Sequence, residues 1–408
     1  MSSRLPLFAR GTEGETTRIS DLLRREAVGG LLLIVAGTIA VVWANTPASE
    51  TYEALRGVTI GPESLHLNLT LREWASDGLL TLFFFGIGLE VKREFVAGDL
   101  RDPRRAATPI GAAVGGMLAP ALIFTAITAV TDTTAMRGWA IPTATDIAIA
   151  VAVLAVVGRY MPPALRMFLL TLAVVDDLLA VIVIALFYTD DLAPLALALA
   201  VVPLMVFAIA VQKRIHTPWL LAPLAILTWA LVHESGIHAT IAGAVLAFTV
   251  PVHTASGESD PGLTEYLAHR VRPLSSGLAL PVFAFFAAGV EVGGLDGLRA
   301  SLASPIAFAV IAGLLLGKSL GIFGTTFAMA RLTKARLSDD IEWIDLFGVA
   351  LLGGIGFTIS LLITELAFGA ETSETAVAKA AVLVGSLLSA ACAAAVLMLR
   401  SHVHQAHR

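Results

Sequence analysis

Long apolar runs separated by short polar loops dominate this chain. A membrane helix needs about 20 mostly apolar residues to cross the hydrocarbon. Reading for such runs predicts twelve spans, near 26–44, 74–95, 108–130, 137–157, 165–188, 192–211, 217–234, 237–251, 275–294, 304–330, 345–368 and 376–400. The eighth is short and is expected to tilt or re-enter. The first 25 residues are polar and Arg-bearing with no apolar centre, so no cleavable signal is expected. Between the first two spans lies a loop from Asn45 to Arg72. Its second half, Ser64 to Leu71, alternates polar and apolar after the turn signal Gly61-Pro62-Glu63-Ser64, which predicts a β-hairpin. The hairpin is either an ordinary ordered loop or a contact between subunits, since a lone hairpin leaves an edge free to pair.

Composition agrees with the spans. The chain has 408 residues, 57% of them hydrophobic and 14% charged, with a mean hydropathy of +0.82. A soluble chain carries about 25% charged residues, so too little polar surface exists here to cover a water-soluble core. That excludes a cytoplasmic enzyme and a disordered regulator. A net charge of −5 argues against nucleic acid. The single cysteine, Cys392, permits neither an intrachain disulfide nor a cysteine metal cluster. The expected fold is therefore an all-α polytopic membrane protein.

The basic residues orient it. With the N-terminus placed in the cytoplasm, twenty-one of the 27 Lys and Arg fall in inside segments. Five fall outside (Arg56, Arg72, Arg137, Arg299 and Lys379), and Lys318 falls within a span. This bias predicts an even number of spans with both termini cytoplasmic. The expected organisation is a cytoplasmic segment 1–25, one membrane domain 26–400 carrying the periplasmic loop 45–72, and a cytoplasmic tail 401–408.

Charged groups inside a bilayer cost roughly 3 kcal/mol each on insertion scales and mark function. The candidates are Asp77, Glu90, Asp146, Asp176, Asp177, Lys318 and Glu365, with Glu291 and His238 nearer span ends. Asp176 and Asp177 form the strongest signal. Adjacent helical residues point about 100° apart, so one can face a water-filled funnel while the other turns to a neighbouring helix. Two close carboxylates titrate as a coupled unit and can take a proton or a small hard cation. Asp146 follows Ile141-Pro142-Thr143-Ala144-Thr145, where the proline predicts an interrupted helix. Asp146 either joins the ion site or serves only as a counter-charge to the freed helix end. Thr145 either supplies a hydroxyl oxygen to the ion or caps that end. Lys318 either offsets the negative ends of broken helices or pairs with Asp176 or Asp177. In the second case cation binding could displace it. Glu365 is expected near the periplasmic end, in water.

A second weak point, Gly353-Gly354-Ile355-Gly356-Phe357-Thr358, interrupts the eleventh span. Spans three to five and ten to twelve thus each carry a break in the middle member, with opposite orientation, as inverted-repeat transporters do. The motifs are Gly-Leu-Glu-Val-Lys-Arg-Glu (88–94), Gly-Trp-Ala-Ile-Pro-Thr-Ala-Thr-Asp-Ile-Ala (138–148), Val-Val-Asp-Asp-Leu (174–178), Ser-Gly-Ile-His-Ala-Thr-Ile-Ala-Gly (235–243), Leu-Pro-Val-Phe-Ala-Phe (280–285), Gly-Lys-Ser-Leu-Gly (317–321) and Gly-Gly-Ile-Gly-Phe-Thr-Ile-Ser (353–360). In this order they closely resemble the bacterial NhaA sodium/proton antiporters over roughly 25–400.

The resemblance implies roles. Asp176 matches the proton-releasing position and Asp177 the essential ion-binding carboxylate. Asp146, Thr145 and Lys318 match residues at the helix crossing. Asp77 and His238 match residues of the second span and of the pH response. Glu90 with Lys92, Arg93 and Glu94 matches a pH-responsive cluster, or is simply solvated charge at a span end. It implies electrogenic exchange of cytoplasmic Na+ (or Li+) for more than one H+, probing one aspartate site alternately from each face. No cofactor is expected. The implied setting is the bacterial inner membrane, with a homodimer formed through 45–72. The stretch Ala268-His269-Arg270-Val271-Arg272-Pro273 departs from the family pattern, as does Leu179 where glycine is usual. The alternative is a sodium-coupled symporter of the same repeat type, which would be expected to need further basic contacts for its substrate. A channel would need a selectivity loop. A zinc protease would need histidines at i, i+4, whereas His233 and His238 stand at i, i+5.

Overall fold

The computed structural model describes residues 13–63, 67–131, 134–158, 161–189, 192–215, 217–252, 262–332 and 341–406. They are mostly helical. Among the described residues eight helices are long and apolar enough to cross a membrane: Ala27–Ala44, Leu71–Ala97, Ala106–Val130, Pro163–Phe187, Pro194–Gln212, Leu263–Ala288, Pro305–Leu332 and Ser373–His402. Two bent pairs, Ala135–Thr143 with Ile147–Val157 and Trp343–Gly353 with Thr358–Phe368, raise the number of candidate spans to ten if each pair counts once. The apolar helices Pro218–Glu234 and Thr240–Thr249 are shorter. The first helix begins at Glu13, ahead of the expected start near 26.

Proline sets many of the beginnings. Helices open at Pro103, Pro163, Pro194, Pro218 and Pro305. Its fixed φ suits the first turn, where its missing N–H would be unpaired anyway. At Pro305 the preceding Ser304 adds a cap, its hydroxyl accepting from Ile306 N at 3.3 Å. Large apolar side chains stand exposed along these helices, Leu122, Leu199, Ile226 and Leu387 among them. In water such faces would associate; against lipid they are the expected outer surface.

The chain divides into two compact units by its contacts. One comprises the described parts of 1–34, 102–180 and 290–408. Its interior is filled by Phe124, Leu165, Leu169, Leu346, Val349 and Leu361. Helices Pro103–Val130 and Ser319–Leu332 approach closely through glycines. A Cβ on Gly321 would lie 2.2 Å from Gly115 O, so neither position has room for a side chain. Small residues at such crossings let backbones touch where no hydrophobic force separates helix from lipid.

The other unit comprises 35–101 and 181–289. One core cluster packs Leu89, Phe207, Val211, Leu246 and Val250. A second packs Trp229, Val232, Ala239 and Ala242 against Leu67 and Leu69. The loop 45–72 belongs here. It contains a short helix, Ser49–Arg56, that the alternation pattern did not predict. Two strands follow, β1 (Thr59–Ile60) and β2 (Leu69–Thr70), paired antiparallel with Thr59 opposite Thr70 and Ile60 opposite Leu69. Ser64 to His66, where the alternating stretch begins, lie outside the described residues. Thr70 ends the strand by capping the next helix in a capping box with Glu73.

Two expectations need correction. Lys379, assigned to an outside loop, lies within the helix Ser373–Ala406 and is buried. Glu365, expected in water, reaches it at 2.6 Å in a pair whose side chains are only 10% and 2% exposed. The connection 369–372 is short, so the acid of one helix end meets the lysine of the next helix start.

Candidate functional site

The two broken spans cross at their breaks, in the first unit. Pro142 removes an amide hydrogen, and the first half is a 3₁₀ helix throughout, Thr134–Thr143. The second half restarts at Ile147 with Asp146 as its N-cap. Asp146 Oδ1 accepts from Ile149 N at 3.1 Å. Its other oxygen accepts from Thr358 N at 3.1 Å and from Thr358 Oγ1 at 2.8 Å. Thr358 opens the helix Thr358–Phe368 of the other broken span. One carboxylate therefore satisfies the starts of two helices, where unpaired N–H groups and the helix dipoles both favour negative charge. The backbones also bond directly, Asp146 N donating to Ile355 O at 2.6 Å. Thr145 Oγ1 donates to Gly353 O at 2.8 Å, so this hydroxyl ties off the end of the opposing half-helix. Ser360 Oγ donates to Ile141 O at 2.7 Å. The approach is tight, since a Cβ on Gly356 would come 2.7 Å from Ala144 O.

Lys318 and the aspartates occupy the same unit. Lys318 ends a π-helical turn, Gly313–Lys318, within the span Pro305–Leu332. π-turns are rare and are frequent at functional sites. The ammonium group is fully buried, and Nζ donates to both oxygens of Asp176 at 2.7 Å. It also donates to Thr143 O, the last carbonyl of the first half-helix. The two roles weighed from the sequence thus coincide in one group: Lys318 is both counter-ion to Asp176 and cap to a negative helix end. Asp176 is 2% exposed and Asp177 1%, both on Pro163–Phe187. Two buried carboxylates beside one ammonium leave an excess negative charge, and such a charge is costly unless a proton or cation joins it.

Asp77, His238 and Glu90 lie in the second unit. Asp77 also sits in a π-helical turn, Trp74–Leu79. His238 Nδ1 is 3.6 Å from Asp77 Oδ1, and His233 Nδ1 is 3.4 Å from Oδ2. The two histidines do not share a helix. The helix ends at Glu234, and Gly236 takes φ +80°, a left-handed turn that suits glycine. That turn brings His238 back to the carboxylate that His233 faces, which i, i+5 spacing on one helix could not do. Glu90 pairs with Arg272, from the stretch that departs from the family pattern. Lys92 Nζ donates to Phe248 O at 2.6 Å.

Several of these residues were not singled out from the sequence. Thr358 lies in a quoted motif but its tie to Asp146 spans 212 residues. Asp345 is fully buried and accepts from Arg400 Nε at 2.6 Å. A carboxylate at the start of an apolar run, with an arginine near the end of the last one, was the available signal.

Crossed broken helices, with a buried lysine bridging one break to a pair of carboxylates, make up the candidate site. The fold is similar to a solved sodium proton antiporter, MjNhaP1 from Methanocaldococcus jannaschii, with a TM-score of 0.51 and 16% identity, covering 93% of this chain and 98% of that one. Residues 20–397 match the family model Na+/H+ antiporter 1. A Na(+)/H(+) antiporter NhaA 2 from Mycobacterium sp. (strain JLS) is 58% identical over 99% of this chain and 91% of its own length. A Na(+)/H(+) antiporter NhaA 1 from Nocardioides sp. (strain ATCC BAA-499 / JS614) is 58% identical over 99% and 94%. The chain belongs to the Na+/H+ antiporter 1 family, a family of membrane transporters.

Proposed function

We propose that this protein exchanges cytoplasmic Na+, or Li+, for external H+ across the bacterial inner membrane. Family membership supports the exchange and its two ions. The bond between Lys318 and Asp176 beside Asp177 is the observation that carries the mechanism. The ammonium group neutralises one of two buried carboxylates. A sodium ion entering at Asp177 competes with Lys318 for Asp176, and two protons leave as the cation binds, one from the Asp177 carboxyl and one from the displaced Lys318 ammonium. Protons returning from the other face expel the cation. Two protons per sodium make the cycle electrogenic, and each net charge moved gains about 2.3 kcal/mol per 100 mV. Asp146 holds the crossing together, and Thr145, whose hydroxyl proton is donated to Gly353, keeps lone pairs that can face a cation. Asp77, His238 and Glu90 set the pH response.

In this reading the chain crosses twelve times, each broken pair and each of the helices 218–234 and 240–249 counting once. Spans three to five and ten to twelve form the inverted repeat. Segments 1–25 and 401–408 are cytoplasmic, and 45–72 pairs two copies into a homodimer in the bilayer. The test is Asp177→Asn in inverted vesicles. Exchange disappears while the protein still inserts; exchange at the wild-type rate refutes the site.

A further inference from the structure

His233 lies outside the motifs that carry the family likeness, yet it faces Asp77 from the side opposite His238. Its Nδ1 is 3.4 Å from Oδ2, and that of His238 is 3.6 Å from Oδ1. One carboxylate thus has an imidazole at each oxygen. The surroundings hold this group in place. Asp77 O accepts from Trp229 Nε1 at 2.9 Å and from Thr81 Oγ1. Ser76 Oγ donates to Asp77 Oδ1 at 3.2 Å. Trp229 stacks on His233 with centroids 5.9 Å apart and planes 18° from parallel. Its other neighbour is Trp74, at 5.5 Å and 25°.

Counting charge selects the ligand. With Asp77 ionised and both rings neutral the group carries one negative charge. One proton brings it to zero, and a second makes it positive. A buried net charge is expensive, so the neutral state is the one such a setting favours. The proton can sit on either ring and still face the same carboxylate. The other charged groups facing His233 are Glu234 and Glu73, both acidic. The helices packed beside it, Pro194–Gln212 and Thr240–Thr249, carry no charged residue, nor does Leu280–Ala288 next to the π-turn. Among the described residues no group of three or more His, Cys, Asp or Glu is disposed to hold a metal ion. The proton is the ligand that remains. Access differs between the rings, for the His233 side chain is 23% exposed and that of His238 8%.

We propose that Asp77, His233 and His238 form one proton-binding site, in which His233 is the ring that exchanges protons with water and sets the pH at which transport turns on. This rests on the pH-response reading of Asp77 and His238. An imidazolium stacked on an indole quenches its emission, so Trp229 reports the protonation of His233. The experiment titrates tryptophan fluorescence of the full-length protein in liposomes from roughly pH 5 to 9, the range in which histidine changes charge. It measures sodium-driven proton exchange on the same samples. Wild type shows a fluorescence titration that Trp229→Phe removes. His233→Gln removes it too and moves the pH of half-activation by about one unit, the usual spread of histidine values in proteins. His233→Tyr, which keeps an aromatic ring against Trp229, repeats both losses if glutamine disturbs folding. Persistence of the titration in both His233 variants, or an unchanged activation pH, overturns the proposal. A normal titration with no exchange in wild type supports this site while refuting the transport reading.

Discussion

Replacing Lys318 by methionine keeps most of the unbranched side chain and removes its charge. Three hydrogen bonds go with it, two to Asp176 and one to Thr143 O. Asp176 then stays 2% exposed with its counter-ion gone. Breaking a buried ion pair from one side costs roughly 3–5 kcal/mol, because the remaining charge has neither water nor partner. Asp176→Asn leaves the ammonium in the same position and should cost about as much. Removing both charges together avoids that penalty, so Lys318→Met with Asp176→Asn should fall within roughly 1–2 kcal/mol of wild type. The residual comes from Thr143 O, which loses its donor in Lys318→Met and in the double variant alike. The coupling measured around the cycle is then at least about 4 kcal/mol, above the usual range for directly interacting residues because each single variant strands a buried charge. At roughly 2 cal/mol/K of unfolding entropy per residue, a chain of 408 residues moves its melting temperature by about 1 °C per kcal/mol. Each single variant should therefore melt some 3–5 °C early, with most of the loss recovered in the double variant. The assay is a thermal melt of all four proteins in one detergent at one scan rate. A double variant no more stable than Lys318→Met refutes the pairing as an energetic unit.

Other substitutions probe the crossing and the second pair. Asp146→Ala strips the caps from two helix starts at about 1 kcal/mol each, whereas Thr358→Val keeps one of the two donors Thr358 offers. The alanine variant should melt lower than the valine variant, and equal melting would count against the double cap. Gly356→Ala forces a Cβ toward Ala144 O and should reduce exchange more than Gly324→Ala, where a Cβ would meet nothing within 4 Å. Glu365→Gln removes the carboxylate charge 2.6 Å from the buried Lys379; a loss of roughly 3–5 kcal/mol, reversed by adding Lys379→Met, is expected in the same thermal melts.

How much could be seen in advance depended on whether a feature was local. Asp176 and Asp177 stood out because charge is scarce in apolar runs, and that scarcity is a property of the segment itself. Pro142 and the glycines at 353–356 marked both breaks for the same reason. Partners across the fold were another matter. Lys318 lies 142 residues from Asp176, and nothing along the chain chooses between Asp176 and Asp177. Glu365 was read as solvated because its span end was taken for a surface, whereas Lys379 of the next helix covers it. His233 and His238 stand at the facing ends of two separate predicted spans, 217–234 and 237–251, so their angle on a single helix is no guide to their distance. The turn at Ser235-Gly236 brings both to Asp77, a convergence that spacing along the chain does not reveal.

The π-turn at Gly313–Lys318 has a consequence for how this chain can change in length. A π-turn holds one residue more than the α-helix it interrupts. It lets the upstream face bury Ile306, Ala309 and Val310 while the downstream face keeps Gly321 against Gly115. Deleting one residue within the turn lets the ladder run on as plain α-helix with both faces aligned, whereas a deletion elsewhere in the span would turn one face against the other by about 100°. The span should thus tolerate the loss of one residue best between Gly313 and Lys318, with Lys318 itself kept, and a deletion scan would show a tolerant point there flanked by intolerant helix.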